Sequence, residues 1–167
     1  MTIEAYKNKI LPARARAEVR NAWLRRRLDE LLPELMARAG LDLWVVVARE
    51  YNEDPVLISL LPEPSMTARR RTILFFARRA DGSVERLALD RYGYGDLYPA
   101  AWDPGAEEQL ACLARLVRER DPAAIGLNVS REFALADGLS HAEYEAIVAA
   151  VGVDVLQAAE NVLAPHP

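Results

Sequence analysis

One segment constrains the fold more than any other. Residues 43–48 form an unbroken apolar run, rich in β-branched and aromatic side chains. A strand turns successive side chains to opposite faces of its sheet, so a strand that is apolar at every position must be covered on both faces. The run therefore predicts a central strand. Residues 71–77 predict a second strand, and Asp81-Gly82 followed by residues 84–89 predicts an antiparallel hairpin partner for it.

Apolar residues at helical spacing predict the first covering helix, over residues 13–39. Its apolar face is predicted to consist of Leu24, Leu28, Leu31 and Leu35. Gly40 is a suitable residue to end the helix. Pro33 lies inside the span, so we expect either a kink or the start of a second helix there.

Three further helices and two short strands complete the prediction. Asp54 is the expected N-cap of a helix over residues 55–61, and Ser140 with Glu143 forms a capping box before residues 141–151. The third helix is predicted over residues 105–120. Strands are predicted at 125–129 and 153–156. The element order predicts an α/β fold in which a mixed β-sheet is flanked by helices on both faces.

Length and charge exclude several classes of protein. A chain of 167 residues is the size of one domain. One cysteine and two histidines exclude an internal disulfide, a cysteine zinc cluster and a multi-histidine metal site. A net charge of −4 argues against nucleic acid as a partner. The sequence contains neither a membrane-length apolar stretch nor a signal peptide, so we expect a cytoplasmic protein without a membrane partner.

Motifs that could carry chemistry are weak. His141 and Glu145 have the spacing of two zinc ligands on a helix, but a third ligand is lacking, and solvated charges are the favoured interpretation. Cys112 lies among apolar helix residues, which indicates an inert core thiol. Residues 92–96 lack the third glycine of a dinucleotide loop, so we interpret them as a turn that directs Tyr92 and Tyr94.

Two arginine clusters and one polar loop remain. The clusters are Arg14, Arg16, Arg20, Arg25, Arg26 and Arg27 on the first helix, and Arg69, Arg70 and Arg71 before the second strand. They could bind phosphate, but a solvated face, or salt bridges to a partner surface, is the favoured interpretation. The loop at residues 49–54 directly follows the central strand, at a position where ligand-contacting groups collect. An equally open alternative is that this loop only caps the next helix.

Several stretches of the chain resemble one known family. They are GLDLWVV (40–46), REYNEDP (49–55), RRRTIL (69–74), RYGYGDLY (91–98), IGLNVS (125–130) and ADGLSHAEY (136–144). Together they resemble the creatinase/prolidase-type amino-terminal domain that precedes the pita-bread catalytic domain of aminopeptidase P, prolidase and creatinase. The closer resemblance is to bacterial Xaa-Pro aminopeptidase-like metallopeptidases, and it extends over residues 17–163.

This resemblance implies a ribonuclease H-like domain over residues 14–157, preceded by an extended arm at 1–13. Residues 158–167 would begin the linker to a catalytic domain that this chain lacks. That domain would hold two divalent metals (Mn, Co or Zn), so the resemblance assigns no metal ligand and no catalytic residue to this chain. It implies two partners, the protein's own catalytic domain and further copies in a homodimer or higher homo-oligomer.

The resemblance also implies a non-catalytic role in shaping the substrate cleft and the oligomer interface. Its cleft-facing candidates would be Arg49, Glu50, Tyr51, Asn52, Asp54, Arg91 and Tyr92. The alternative is a stand-alone binding or assembly module without a catalytic partner domain. A third and more distant reading is an arginine-mediated nucleic-acid binder.

Overall fold

A five-stranded mixed sheet, in the order β3-β2-β1-β4-β5, organises the chain. The computed structural model describes Tyr6, residues 10–152 and the backbone of residues 156–158. The strands are β1 (Leu43–Arg49), β2 (Arg71–Arg78), β3 (Val84–Ala88), β4 (Ile125–Leu127) and β5 (Leu156–Ala158). The α-helices are α1 (Ala13–Arg26), α2 (Leu32–Arg38), α3 (Pro55–Leu60), α4 (Gln109–Arg120) and α5 (His141–Val151). A π-helical turn, Arg27–Leu31, joins α1 to α2, and a 3₁₀ turn, Ala134–Ala136, precedes α5.

The strand β1 is central, as its apolar composition predicts. It pairs antiparallel with β2 along its whole length, from Leu43 opposite Ala77 to Arg49 opposite Arg71. On its other side it pairs parallel with β4. Every residue of β1 except Arg49 is buried. The hairpin prediction is also confirmed, because β2 and β3 pair antiparallel.

Helices cover both faces of the sheet, and the alternating side chains of β1 belong to two separate cores. Trp44 and Val46 lie in the core that also contains the buried leucines of α1, α2 and α3. Val45 and Val47 lie in the core that contains the buried residues of α4 and α5. The predicted α/β fold with a mixed sheet and helices on both faces is therefore confirmed.

The first helix differs from the prediction at one apolar position. Leu31 is 51% exposed, whereas Leu32 and Met36 are buried in line with Leu24 and Leu28. Residues four apart drift by about 40° per step around an α-helix of 3.6 residues per turn. The wider π turn at Arg27–Leu31 offsets that drift and keeps the four-residue spacing on one face. Pro33 lies in the first turn of α2, so the second of the two predicted alternatives, the start of a new helix at this proline, is the one observed.

Several element ends also shift. The helix predicted from residue 105 begins at Gln109, because Asp103 first forms a turn by accepting from the backbone N–H of Gly105 at 2.9 Å. The predicted strand 125–129 ends at Leu127. The last strand is described at Leu156–Ala158, and residues 153–155 of the predicted strand lie outside the described part.

The two ends of the first helical segment agree with the prediction. The helix α1 begins at Ala13, where the predicted helix begins, and residues 1–5 and 7–9 of the predicted extended arm lie outside the described residues. Gly40 has a φ of +67° and lets Leu41 N–H donate to the Met36 carbonyl at 3.0 Å, which closes α2. Among the described helices, none combines the length and apolar character needed to cross a membrane.

Candidate functional site

The candidate site is a cleft of about 830 Å³ at the edge of the sheet where β1 ends and β2 begins. The chain leaving β3 forms a second wall, and the first residues of α4 form a third. The cleft therefore lies at the carboxyl end of the central strand, where the predicted polar loop begins. Five arginines line it, namely Arg49, Arg69, Arg70, Arg71 and Arg91.

The cleft is basic although the whole chain is acidic. Among the described residues, the lining carboxylates are Asp90 and Glu108, against five guanidinium groups. The Asp90 carboxylate is already engaged, because it accepts from the backbone N–H groups of Tyr92 and Gly93 and holds that turn. The cleft therefore carries an excess of positive charge in a chain whose net charge is −4.

A buried carboxylate on α5 fixes two of these arginines. The Glu143 side chain is only 3% exposed, and its carboxylate accepts from Arg71 Nε at 2.6 Å and from Arg71 Nη2 at 3.1 Å. Arg49 Nη1 lies 3.4 Å from the same carboxylate. Arg49 and Arg71 are direct cross-strand neighbours, a pairing of like charges that is unfavourable unless a counter-charge lies between them. Glu143 supplies that counter-charge.

This contact corrects one part of the predicted capping box. Ser140 Oγ accepts from the Glu143 N–H at 3.4 Å and caps α5 as expected. The Glu143 carboxylate, however, contacts Arg71 and Arg49 across the sheet edge. A guanidinium group is a stronger hydrogen-bond donor to a carboxylate than a neutral backbone N–H, so this geometry is favoured.

The inner part of the cleft is held by hydrogen bonds to the backbone. Gln109, the first residue of α4, is buried, and its Nε2 donates to the Leu89 carbonyl at 2.6 Å and to the Arg71 carbonyl at 3.2 Å. Thr72 Oγ1 accepts from the Arg69 N–H at 3.0 Å. These contacts fix the backbone that carries the arginines, while the guanidinium groups extend into the cleft.

Two residues beside the cleft hold left-handed backbone conformations. Tyr51 has a φ of +66° and Arg70 a φ of +50°, and the Glu50 N–H between their segments donates to the Arg70 carbonyl at 3.0 Å. Tyr51 is the third residue of a turn closed by Asn52 N–H donating to the Arg49 carbonyl at 2.9 Å. Such conformations cost about 1–3 kcal/mol for a residue other than glycine and cluster at functional sites.

The predicted cleft-facing residues separate into three groups. Arg49, Arg91 and Tyr92 line the cleft together. Glu50, Tyr51 and Asn52 form the exposed turn that follows Arg49, and Tyr51 is 93% exposed.

Asp54 lies elsewhere. It is buried, caps α3 by accepting from Leu57 N–H at 2.6 Å, and accepts from Asn128 Nδ2. Burial raises the pKa of the Asp54 carboxyl.

Sequence reasoning misses several contributors to the cleft. It treats Arg69, Arg70 and Arg71 only as a charge run, and it does not connect Trp102 or Glu143 with the loop. One signal could have found the arginines, because an antiparallel pairing of the two predicted strands places Arg71 opposite Arg49. Nothing in the sequence indicates that Glu143 would reach the same sheet edge.

The other candidates examined in the sequence have structural roles. His141 Nε2 lies 3.3 Å from Glu145 in an exposed pair, and no group of three or more potential metal ligands occurs within the described residues. Cys112 is fully buried, and burial raises the pKa of its thiol to about 11.

Most arginines of the first helix form ion pairs within the chain, and the salt bridges expected to a partner surface stay a prediction. The pairs are Arg14 with Glu18, Arg20 with Glu63, Arg25 with Asp96 and Arg26 with Glu30.

Comparisons with known proteins add little to this description. A scan against protein-family models finds no match to the chain, and a search of the curated proteins finds none either. Among solved structures, the chain is similar to an Xaa-Pro dipeptidase from Bacillus anthracis, with a TM-score of 0.44 and 14% sequence identity. The match covers 87% of this chain and 34% of that one, so the chain spans about a third of that protein's length. A likeness of this size does not show membership of a family.

Proposed function

We propose that this chain is a non-catalytic amino-terminal domain of a dinuclear-metal Xaa-Pro peptidase, in which it forms one wall of the substrate cleft and part of a homo-oligomer interface. The observation that carries the proposal is the basic cleft at the carboxyl end of β1. Three of the stretches that resemble the creatinase/prolidase-type domain, at 49–55, 69–74 and 91–98, contribute its arginines. Strand ends of this kind are where α/β domains place ligand-contacting groups.

The residues of the cleft are suited to binding and orienting a substrate. A guanidinium fork can donate two parallel hydrogen bonds to a carboxylate, which a peptide substrate carries at its end. Arginine stays protonated at neutral pH and cannot exchange a proton during a reaction. In the proposed enzyme, the two divalent metals (Mn, Co or Zn) would be held by the catalytic domain, and this wall would position the peptide beside them.

The exposed turn next to the cleft is the proposed contact with the catalytic domain or a second subunit. Tyr51 presents a nearly fully exposed aromatic ring from a backbone conformation that the turn holds in place. Aromatic residues are enriched at protein interfaces because they bury a large area at a low cost in side-chain entropy. The proposal includes a cytoplasmic location and no nucleic-acid partner, consistent with the net charge of −4.

The test uses a full-length enzyme that carries this domain together with its catalytic domain. The triple variant Arg49→Ala, Tyr51→Ala, Asn52→Ala should lower kcat/KM on an Xaa-Pro peptide by about tenfold or more, equivalent to about 1.4 kcal/mol of transition-state stabilisation. The matched control is Arg14→Ala, Glu18→Ala, Arg118→Ala, three exposed positions outside the cleft, and it should keep wild-type kinetics. Wild-type kinetics in both variants would contradict the proposal, as would equal losses in both.

A stand-alone binding or assembly module is the second candidate, and one observation favours it. Val19, Trp23 and Leu31 are exposed apolar residues on the outer side of the first helical segment, and Trp23 is the largest of them. An exposed patch of this kind can mark an interaction surface. If assembly is the main role, Trp23→Glu should change the oligomeric state measured by light scattering. The cleft triple variant should then leave that state unchanged.

A further inference from the structure

We propose that the arginine cleft binds a small organic phosphate carrying at least two negative charges. This inference goes beyond the peptidase proposal, because it concerns binding by this chain alone and does not depend on a catalytic domain. The cleft is the space of about 830 Å³ lined by Arg49, Arg69, Arg70, Arg71 and Arg91. Its volume is in the range of pockets that take drug-sized ligands, about 300–1,000 Å³.

Three of the five arginines have a guanidinium group without a carboxylate partner among the described residues. Within the described residues, the guanidinium groups of Arg69, Arg70 and Arg91 form no ion pair with a carboxylate, although all three residues are exposed at the cleft. Arg91 instead lies 5.9 Å from the ring centroid of Tyr92. Arginines elsewhere in this chain find carboxylates readily; Arg120, for example, contacts Glu85 at 3.0 Å. The cleft thus concentrates guanidinium groups that no carboxylate of the described residues pairs with.

The other two arginines are held in place but only partly neutralised. One carboxylate, that of Glu143, serves both Arg71 and Arg49. Its contacts engage Nε and Nη2 of Arg71, while a guanidinium group has five N–H donors in total. A guanidinium group that is already oriented loses less side-chain entropy when a ligand arrives. Glu143 therefore prepares part of the site in advance.

The charge balance favours phosphate over a single carboxylate. Five guanidinium groups face two lining carboxylates, Asp90 and Glu108, and share the buried Glu143. A phosphomonoester carries about −1.5 to −2 charge at pH 7, whereas one carboxylate carries a single charge. A phosphate also offers several acceptor oxygens to planar guanidinium forks, which bind it in the bidentate manner. A ligand with two or more negative charges offsets the excess positive charge of the cleft.

Two aromatic side chains on the wall favour an organic ligand. Tyr92 is 76% exposed, and Trp102 is partly exposed on the same cleft. The indole N–H of Trp102 donates to the Glu107 carbonyl at 2.8 Å, which fixes the orientation of its ring. A fixed ring next to guanidinium groups can contact the carbon skeleton or a flat ring of the ligand while its phosphates face the arginines.

The experiment measures binding of inorganic pyrophosphate to the 167-residue chain by isothermal titration calorimetry at physiological ionic strength. We expect saturable binding of one pyrophosphate per chain. The cleft variant Arg69→Gln, Arg91→Gln should weaken it by about tenfold or more, since each charged hydrogen bond contributes substantially to binding. The control variant Arg38→Gln, Arg118→Gln removes the same charge from exposed positions outside the cleft and should bind within about threefold of wild type.

Three outcomes would overturn the inference. They are the absence of saturable pyrophosphate binding, an equal loss in the cleft and control variants, and binding of citrate with no binding of pyrophosphate. The last would show a carboxylate site instead. Adenosine diphosphate should bind more tightly than pyrophosphate, because it adds a flat ring for Tyr92 and Trp102. No peptidase is needed for any of these measurements, so their failure is distinct from a failure of the full-length kinetics.

Discussion

Replacing the buried carboxylate behind the cleft tests how the arginines are held. Glu143→Gln keeps the size of the side chain and the α5 capping bond, but it removes the charge that lies between Arg71 and Arg49. Arg71 would retain at most one acceptor from the new amide. The two cross-strand guanidinium groups would then face each other without a counter-charge.

The contacts set the size of the expected loss. Breaking a fully buried ion pair by removing one partner costs about 3–5 kcal/mol. Here the Arg71 side chain is 29% exposed and that of Arg49 is 57% exposed, so water screens the charges that remain. The 3.4 Å contact of Arg49 resembles a surface pair, worth at most about 1 kcal/mol. We therefore expect Glu143→Gln to lower the free energy of unfolding by about 2 kcal/mol, within the range for hydrogen bonds to charged groups.

Urea unfolding followed by circular dichroism measures this loss, and Glu145→Gln is the matched control. Glu145 lies two residues further along the same helix in an exposed pair with His141, so its replacement should cost less than about 0.5 kcal/mol. A double-mutant cycle with Arg71→Gln should give a coupling energy of about 1–2 kcal/mol. A loss no larger than that of Glu145→Gln would refute the account of the cleft.

Three further predictions concern the core, the loop and the thiol. Phe75→Ala should cost about 3–5 kcal/mol in urea unfolding, because Phe75 is fully buried on β2, and a loss below about 1 kcal/mol would contradict this packing. Asp54→Ala should cost about 2 kcal/mol or more in the same assay, because it removes the cap of α3 and leaves the buried Asn128 amide with only its longer hydrogen bonds to the Val47 backbone; a loss within about 0.5 kcal/mol would argue against that network. Burial raises the pKa of the Cys112 thiol to about 11 from the ordinary value of 9.0, so its contribution to stability is present below the lower value and is lost as pH rises through the upper one. Cys112→Ala should therefore flatten the decline in stability over that pH window, and an unchanged decline would contradict the shift.

The central strand and its hairpin could be predicted because local composition decides them. The side chains of β1 are apolar on both faces, so neither face can be left exposed to water. Asp81-Gly82 strongly favours a tight turn between β2 and β3. The exposed Leu31 could not be predicted. A helix period of 3.6 residues puts it on the apolar face, and only the π turn, which depends on how Leu32 and Met36 pack, rotates it outward.

The cleft was only partly predictable for a different reason. The loop after β1 could be singled out because polar residues follow a buried strand, and Arg49 does line the cleft. Asp54 belongs to the same polar loop, yet it is buried and accepts a hydrogen bond from Asn128, a residue far along the sequence. The capping-box pattern likewise gives Glu143 a local role, whereas a stronger charged partner on β2 engages its carboxylate. Long-range pairings of this kind leave no local trace.

The most direct test of the central claim is a crystal structure of the chain soaked in tungstate, whose strong scattering identifies a bound divalent oxyanion. The account predicts a tungstate peak within the cleft, in contact with Arg71 and at least one of Arg70 and Arg91. The same soak of Arg69→Gln, Arg91→Gln crystals should give a weaker peak or none. An empty cleft in wild-type crystals, with tungstate bound only at arginines outside it, would contradict the claim.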